Sequence, residues 1–179
     1  MIFLRIGERY EGEKAKLNNV TISNVYAEVP AGKPDAGYEY EGPVEDLPRN
    51  ISPASITGLP GQYVTNVTLK NITIVYPGGG NPNYAKVGTD AKSLNAIPEM
   101  PKAYPEFSQF KELPAWGFYI RHAKGITFDN VTLTAEKPDY RPAIVLDDVH
   151  GGDLENVTIN DPGKKKNEIV VFQSTDIKK

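Results

Sequence analysis

Short runs of β-branched and apolar residues, broken by single polar residues, pattern this chain from end to end. One phrase recurs: Asn, then Val or Ile, then Thr, then Leu or Ile. It stands at 19–22, 66–69, 71–74, 130–133 and 156–159. In Val67-Thr68-Leu69 and Ile72-Thr73-Ile74 the apolar residues fall on one side and Thr on the other, the period of two expected of a strand with one buried face. Recurrence of such a unit at spacings of tens of residues is the mark of a solenoid.

Successive units align on their asparagines. Strand, corner and strand follow one another at 20–23, Asn24 and 25–28, then at 67–70, Asn71 and 72–75. The pattern returns at 126–129, Asn130 and 131–134, and at 154–155, Asn156 and 157–159. Asn tolerates the left-handed conformation that a sharp corner needs. Stacked units would place Asn24, Asn71, Asn130 and Asn156 in one ladder, which argues for a parallel β-helix. Each coil needs a further strand before this pair, and 3–6, 54–57, 118–121, 143–146 and 169–172 supply it. The expected fold is all-β: a single-stranded parallel β-helix of about five coils forming one domain over 1–179.

Two Pro-rich insertions interrupt the coils, at about 30–53 and 77–116. Loops of that length are usually functional or packed as covers. Phe107, Phe110 and Leu113 fall at helical spacing, which predicts one or two helical turns over 106–113 lying on the solenoid.

Composition narrows the chemistry. The net charge of −3 argues against a broad nucleic-acid surface, and the absence of cysteine removes disulfides and thiolate metal sites. No stretch approaches a membrane span. The apolar run after Met1 is too short for a signal peptide, and a strand begins at once, so Met1 reads as an unnatural start. Six Asn-x-Ser/Thr sequons occur, among them Asn50-Ile51-Ser52. The repeat itself accounts for them better than glycosylation does. Gly78-Gly79-Gly80 is not a phosphate loop, because no Lys-Ser/Thr and no helix follow it. Lys164-Lys165-Lys166 reads as a solvated loop and His150 as a turn residue. Two histidines give no metal constellation, and no cofactor is expected.

The remaining candidates are charged residues at strand ends. Asp147-Asp148 is the one adjacent acid pair on such an end. Paired carboxylates are what glycoside hydrolysis requires, but the coil register puts no third acid or histidine beside them, so a solvated corner is the plainer reading. Arg121-His122, after Phe118-Tyr119-Ile120, either contacts an anionic substrate or caps its strand. Arg5 and Arg9 occupy the equivalent strand and turn of the first coil.

Several phrases together resemble one family. They are Ile2-Phe3-Leu4-Arg5-Ile6-Gly7, Ser55-Ile56-Thr57-Gly58-Leu59-Pro60-Gly61, Tyr76-Pro77-Gly78-Gly79-Gly80 and Tyr104-Pro105-Glu106, with Leu113-Pro114-Ala115-Trp116-Gly117-Phe118-Tyr119-Ile120-Arg121-His122 and Arg141-Pro142-Ala143-Ile144-Val145-Leu146-Asp147-Asp148-Val149. The set resembles the C-terminal third of bacterial family 28 glycoside hydrolases, the polygalacturonase-like enzymes, from about Ile2 to about Ile177. The resemblance implies the right-handed parallel β-helix of the pectin lyase type, a periplasmic or secreted location, and a parent reaction that hydrolyses galacturonan-type polysaccharide with inversion. The family's catalytic segments are an Asn-Thr-Asp-type strand, an Asp-Asp pair, a Gly-His-Gly segment and an Arg-Ile-Lys segment, and they would lie in coils before Met1. Arg5-Ile6-Gly7 lacks the lysine, and Asp147-Asp148 comes too late in the chain.

No catalytic residue is therefore carried over. Arg5, Arg9, Tyr119, Arg121 and His122 remain as candidate substrate-binding residues, with an acidic polysaccharide as the expected partner. An open first coil is expected to be covered by an end-to-end homodimer. Three alternatives stand beside this reading: a non-catalytic polysaccharide-binding module, an oligomerising β-helix, and a minimal hydrolase working through Asp147 and Asp148.

Overall fold

The computed structural model describes residues 2–10, 12, 14–31, 52–80, 88–103, 113–163 and 168–179. Its elements, in chain order, are β1 (Phe3–Arg5), β2 (Asn18–Glu28), β3 (Ala54–Thr57), β4 (Val64–Gly78), α1 (Ala91–Asn95), β5 (Phe118–Lys137), β6 (Ile144–Asp153), β7 (Val157–Asn160), β8 (Ile169–Phe172) and β9 (Thr175–Lys178). All pairings between these strands are parallel, within one curled sheet. The architecture is all-β.

Two columns of strands organise the sheet. The first runs β1, β3, the start of β5, the start of β6, then β8: Leu4 pairs with Ile56, Ile56 with Ile120, Ile120 with Leu146 and Leu146 with Val171. The second runs β2, β4, the rest of β5, then β7: Ile22 pairs with Leu69, Leu69 with Phe128, and Leu133 with Ile159. β9 pairs with the end of β6. Each of the five strands foreseen before the corners begins within a residue of expectation, but those at 118 and 144 run on through their corners as β5 and β6. The long strands fold through their corners at residues with positive φ. Asn24, Asn71 and Asn130 (φ 58, 53 and 58°) form the expected ladder. Asn71 Nδ2 donates to Asn24 Oδ1 at 3.1 Å and Asn130 Nδ2 to Asn71 Oδ1 at 2.9 Å.

Asn156 departs from that expectation. It is absent from the positive-φ corners, residues 154–156 form no strand, and its backbone carbonyl accepts from Val131 N at 3.0 Å. Two further columns of left-handed corners were not foreseen. One holds Asn19, Asn66, Gly125, Gly151 and Asp176, and the other His122, Asp148 and Gln173. In the first of these, Asn66 Nδ2 donates to Asn19 Oδ1 at 3.0 Å.

Two apolar layers result. The main core lies inside the curl and includes Ile56, Val67, Leu69, Ile72, Ile120, Phe128, Leu133 and Leu146, all essentially inaccessible. Removal of such side chains from water is the main favourable term in folding. A second, smaller cluster forms on the outer face of the first column. Leu94, Ile97, Leu113 and Ala115 pack there on Tyr119 and Val145, with Phe3, Val170 and Phe172 at the margin. The described part of the second insertion is therefore a cover, as its length suggested. Its helix is α1, capped by Asp90, whose Oδ1 accepts from the backbone N–H of Lys92 and Ser93. The turns expected over 106–113 lie outside the described residues except for the buried Leu113. Lys164-Lys165-Lys166 and nearly all of the 30–53 insertion also lie outside them.

One anchor fixes the cover's neighbourhood. Asp139 and Arg141, both buried, form a two-pronged pair: Arg141 Nε donates to Oδ1 at 3.0 Å and Nη2 to Oδ2 at 2.9 Å. Arg141 Nη1 also reaches Leu113 O at 3.3 Å, and Gly80 N donates to Asp139 Oδ2 at 2.9 Å. A Cβ on Gly80 would sit 2.6 Å from that carboxylate, so only glycine allows the approach. The glycine run thus closes a structural corner. No helix among the described residues is long and apolar enough to cross a membrane.

Candidate functional site

The corner where β5 and β6 leave the first column gathers most of the molecule's candidate chemistry. β5 delivers Tyr119, Arg121 and His122 in succession, and β6 delivers Asp147, Asp148 and His150 one rung below. Arg121 pairs in register with Asp147, and the left-handed corners that follow set His122 beside Asp148. Alternation sends Tyr119, Arg121 and Asp147 to the outer face, where the cover lies.

Arg121 is almost fully buried. Its Nη1 donates to Ile97 O at 2.8 Å, its Nη2 lies 3.0 Å from Glu99 Oε1 and its Nε 3.2 Å from Asp147 Oδ2. Tyr119 OH donates to Asp147 Oδ2 at 3.2 Å. Burial works against the Arg121 charge, but Tyr119, Asp147 and Glu99 together hold its guanidinium above the ordinary value. Burial pushes Asp147 above the usual carboxylate range, with Arg121 opposing. Burial also pushes the Tyr119 phenol far up. Asp147 is therefore an interior ion-pair partner, 2% exposed, and the expectation of a solvated corner does not hold for it.

His122 stands between two carboxylates. Its Nδ1 is 2.6 Å from Asp148 Oδ2 and its Nε2 3.0 Å from Glu99 Oε1. Burial disfavours the imidazolium, but the hydrogen bonds to Glu99 and Asp148 outweigh it and raise the histidine above its ordinary value. Asp148 also takes His150 Nε2 on Oδ1 at 2.8 Å and the Tyr63 hydroxyl at 3.4 Å. Burial would raise Asp148, but the contacts with His122 and His150 prevail and lower it. His150 is thus a strand residue, with Nδ1 on Thr175 Oγ1 at 3.1 Å, rather than the turn residue expected. Tyr63 meets both imidazoles edge-on, at 6.4 and 5.7 Å between ring centroids, and Lys124 Nζ lies 4.0 Å from the Tyr63 ring centroid.

Tyr119, Arg121 and His122 are brought together, and Arg5 joins them through the same covering segment. The Arg5 guanidinium bonds Met100 O, Glu99 O at 3.3 Å and Ala103 O at 3.5 Å. Burial lowers its pKa, with Glu99 opposing. Arg9 is exposed, beyond the end of β1. The expectation that no third acid or histidine lies near Asp147 and Asp148 is corrected: Glu99, His122 and His150 surround them. Sequence reasoning missed Glu99 because it arrives from the cover, outside the coil register. Tyr63 was missed because it lies just before β4, outside the repeated phrase.

Chemically, the arrangement saturates its own charges. The carboxylates of Asp147, Asp148 and Glu99 each face a guanidinium or an imidazole. Among the described residues no group of three or more His, Cys, Asp or Glu is placed to hold a metal ion. Comparisons with protein-family models, curated proteins and solved structures return no match.

Proposed function

We propose that the curled sheet is a right-handed parallel β-helix of about five coils and that the chain is the C-terminal segment of a polygalacturonase-like, family 28 glycoside hydrolase. The parent activity is hydrolysis of galacturonan-type polysaccharide, and the segment serves as scaffold and binding surface, without the reacting carboxylates. The observation that supports this reading most is the strict parallel register of the first column. Leu4, Ile56, Ile120, Leu146 and Val171 stack one above another, and four of these five rungs lie in the phrases on which the family resemblance rests. The paired state of Asp147 and Asp148 supports the non-catalytic part of the proposal.

The test is release of reducing ends from polygalacturonate and rhamnogalacturonan by the purified chain, alongside binding of the same polymers. The expected result is no release from a sample folded by circular dichroism, with salt-sensitive binding of the acidic polymer. Turnover that vanishes in Asp147→Asn or Asp148→Asn would overturn it and make the chain a minimal hydrolase. Absence of both turnover and binding leads to the second reading, an oligomerising β-helix. That reading draws on Val20, Ile22 and Val25 of β2, which pack on the core yet stay half-buried at the edge of the described sheet.

A further inference from the structure

The segment 97–103 crosses the outer face of the first strand column and is tied down at several points. Glu8 N donates to Pro101 O at 2.8 Å, Arg5 holds the carbonyls of Glu99, Met100 and Ala103, and Arg121 holds that of Ile97. These ties involve backbone carbonyls and guanidinium groups, neither of which titrates near neutrality. The Glu99 side chain differs. It meets Arg121 at 3.0 Å and His122 Nε2 at 3.0 Å, while His122 Nδ1 is held by Asp148 at 2.6 Å.

A neutral imidazole has one N–H donor, and an ionised carboxylate only accepts. Two carboxylates on the two nitrogens of one ring therefore require a proton on each nitrogen, or an equivalent extra proton on Glu99 or Asp148. Loss of that proton turns one of the two contacts into a lone pair facing a carboxylate. Asp148 cannot easily move away, because His150 and Tyr63 hold its other oxygen. Glu99 sits on the cover, where Arg121 alone would then hold its carboxylate, so it is the contact that weakens. The other charged groups around the ring are Arg121 on the same strand, Asp147 on β6, and Lys124, which lies against Tyr63. The arginine keeps its charge throughout, so it sets a constant background.

We propose that His122 is a proton-operated clasp, which fastens the Glu99 end of segment 97–103 over the β5–β6 corner when doubly protonated and loosens it on deprotonation. Opening exposes the guanidinium of Arg121 and the Asp147–Tyr119 pair beneath it. The proposal stands apart from the polysaccharide reading, and its readout uses no sugar. The sign follows from linkage: a histidine raised in the clasped state favours clasping fully below its ordinary value of 6.5, and this preference is lost as pH rises through the raised value. Within that window the ratio of clasped to open forms falls about tenfold per pH unit.

Hydrogen exchange of the amides in 97–103, as protection factors between pH 5.5 and 9, tests this in the full chain. Protection of 97–103 is expected to fall about tenfold per unit within the window, in step with the His122 ring titration seen by NMR. Protection at Val131 and Leu133 in the core is expected to stay well above that of 97–103 at every pH, because exchange there requires global unfolding. In Glu99→Gln the amide can donate to an unprotonated Nε2, so protection should persist and its pH dependence should flatten. His122→Gln should give low protection at every pH. Protection of 97–103 that stays flat in the wild type while His122 titrates would overturn the proposal, and so would an unchanged pH dependence in Glu99→Gln, a surface-side substitution that leaves the core untouched.

Discussion

At the scale of single residues, buried charges set how the fold responds to substitution and to pH. Asp139 and Arg141 are buried together with two parallel hydrogen bonds, and Gly80 and Leu113 complete their shells. Removing one partner from such a pair leaves a buried charge uncompensated, which costs about 3–5 kcal/mol. Asp139→Asn is therefore expected to lower unfolding free energy by about that amount in urea denaturation. A loss under about 1 kcal/mol would show that the pair is solvated. The pH profile of stability follows from the same groups. His122, raised, contributes fully below 6.5, and that contribution disappears as pH rises through its folded value. Asp148 and Asp139 are lowered, so their contributions are present above 3.8 and disappear as pH falls through their folded values. For Asp139 burial pulls upward, and the Arg141 bonds outweigh it. Asp147 has the opposite sign, because burial raises it, and it erodes stability as pH climbs above 3.8. Denaturation midpoints measured from pH 3 to 9 should thus peak between the acidic rise and the fall above 6.5. A midpoint still rising at pH 9 would contradict the assignment at His122.

At the scale of elements, the corners explain what the sequence could and could not announce. A left-handed corner accepts Asn, Gly, Asp or, more rarely, another polar residue. The Asn24–Asn71–Asn130 column repeats one residue type, so it was legible in the chain. The column Asn19, Asn66, Gly125, Gly151, Asp176 solves the same geometric problem with three residue types, so the repeated phrase marks only its first two members. The corner at His122, Asp148 and Gln173 uses a different residue at each rung. Its hidden equivalence is the reason that the chain shows Asp147-Asp148 only as an acid pair at a strand end and does not show Asp148 as the rung partner of His122. The strands were legible because apolar alternation survives substitution among Val, Ile and Leu, whereas Glus from a covering loop obey no period. Asn71, in the middle of its ladder, gives and receives a side-chain hydrogen bond. Asn71→Ala loses both bonds and meets the steric cost of positive φ, and should destabilise by about 2 kcal/mol. Asn71→Gly relieves the steric part and should cost about half as much. Equal losses in the two variants would show that the backbone conformation carries no cost, and the ladder bonds alone would then account for the effect.

At the scale of the whole molecule, burial grades from a dry middle to half-dry ends. The inward side chains of β4 and β5, such as Val67, Leu69, Ile72, Phe128 and Leu133, are inaccessible. Those of β2, with Val20, Ile22 and Val25, and of β7 to β9, with Val157, Ile159, Ile169, Val171 and Ile177, pack on the core only in part. Among the described strands β2 pairs with β4 alone, so one row of its backbone groups has no strand partner there. A parallel edge with an apolar row behind it is a template for another strand. The outward residues of β2, Thr21, Ser23 and Tyr26 among them, carry little charge to repel one, and Tyr26 is among the most exposed large side chains described. Self-association through this edge is the expected consequence, with a second copy as the occupant. Sedimentation velocity across micromolar concentrations should show a dimer that grows with concentration. Thr21→Lys with Ser23→Lys places like charges on facing edges without touching the core. It should shift the mixture to monomer while the circular dichroism spectrum and midpoint stay within about 0.5 kcal/mol of wild type. A wild-type chain that remains monomeric throughout that range would remove the edge as an interface and leave the half-buried rows of β2 as a stable edge of the described sheet.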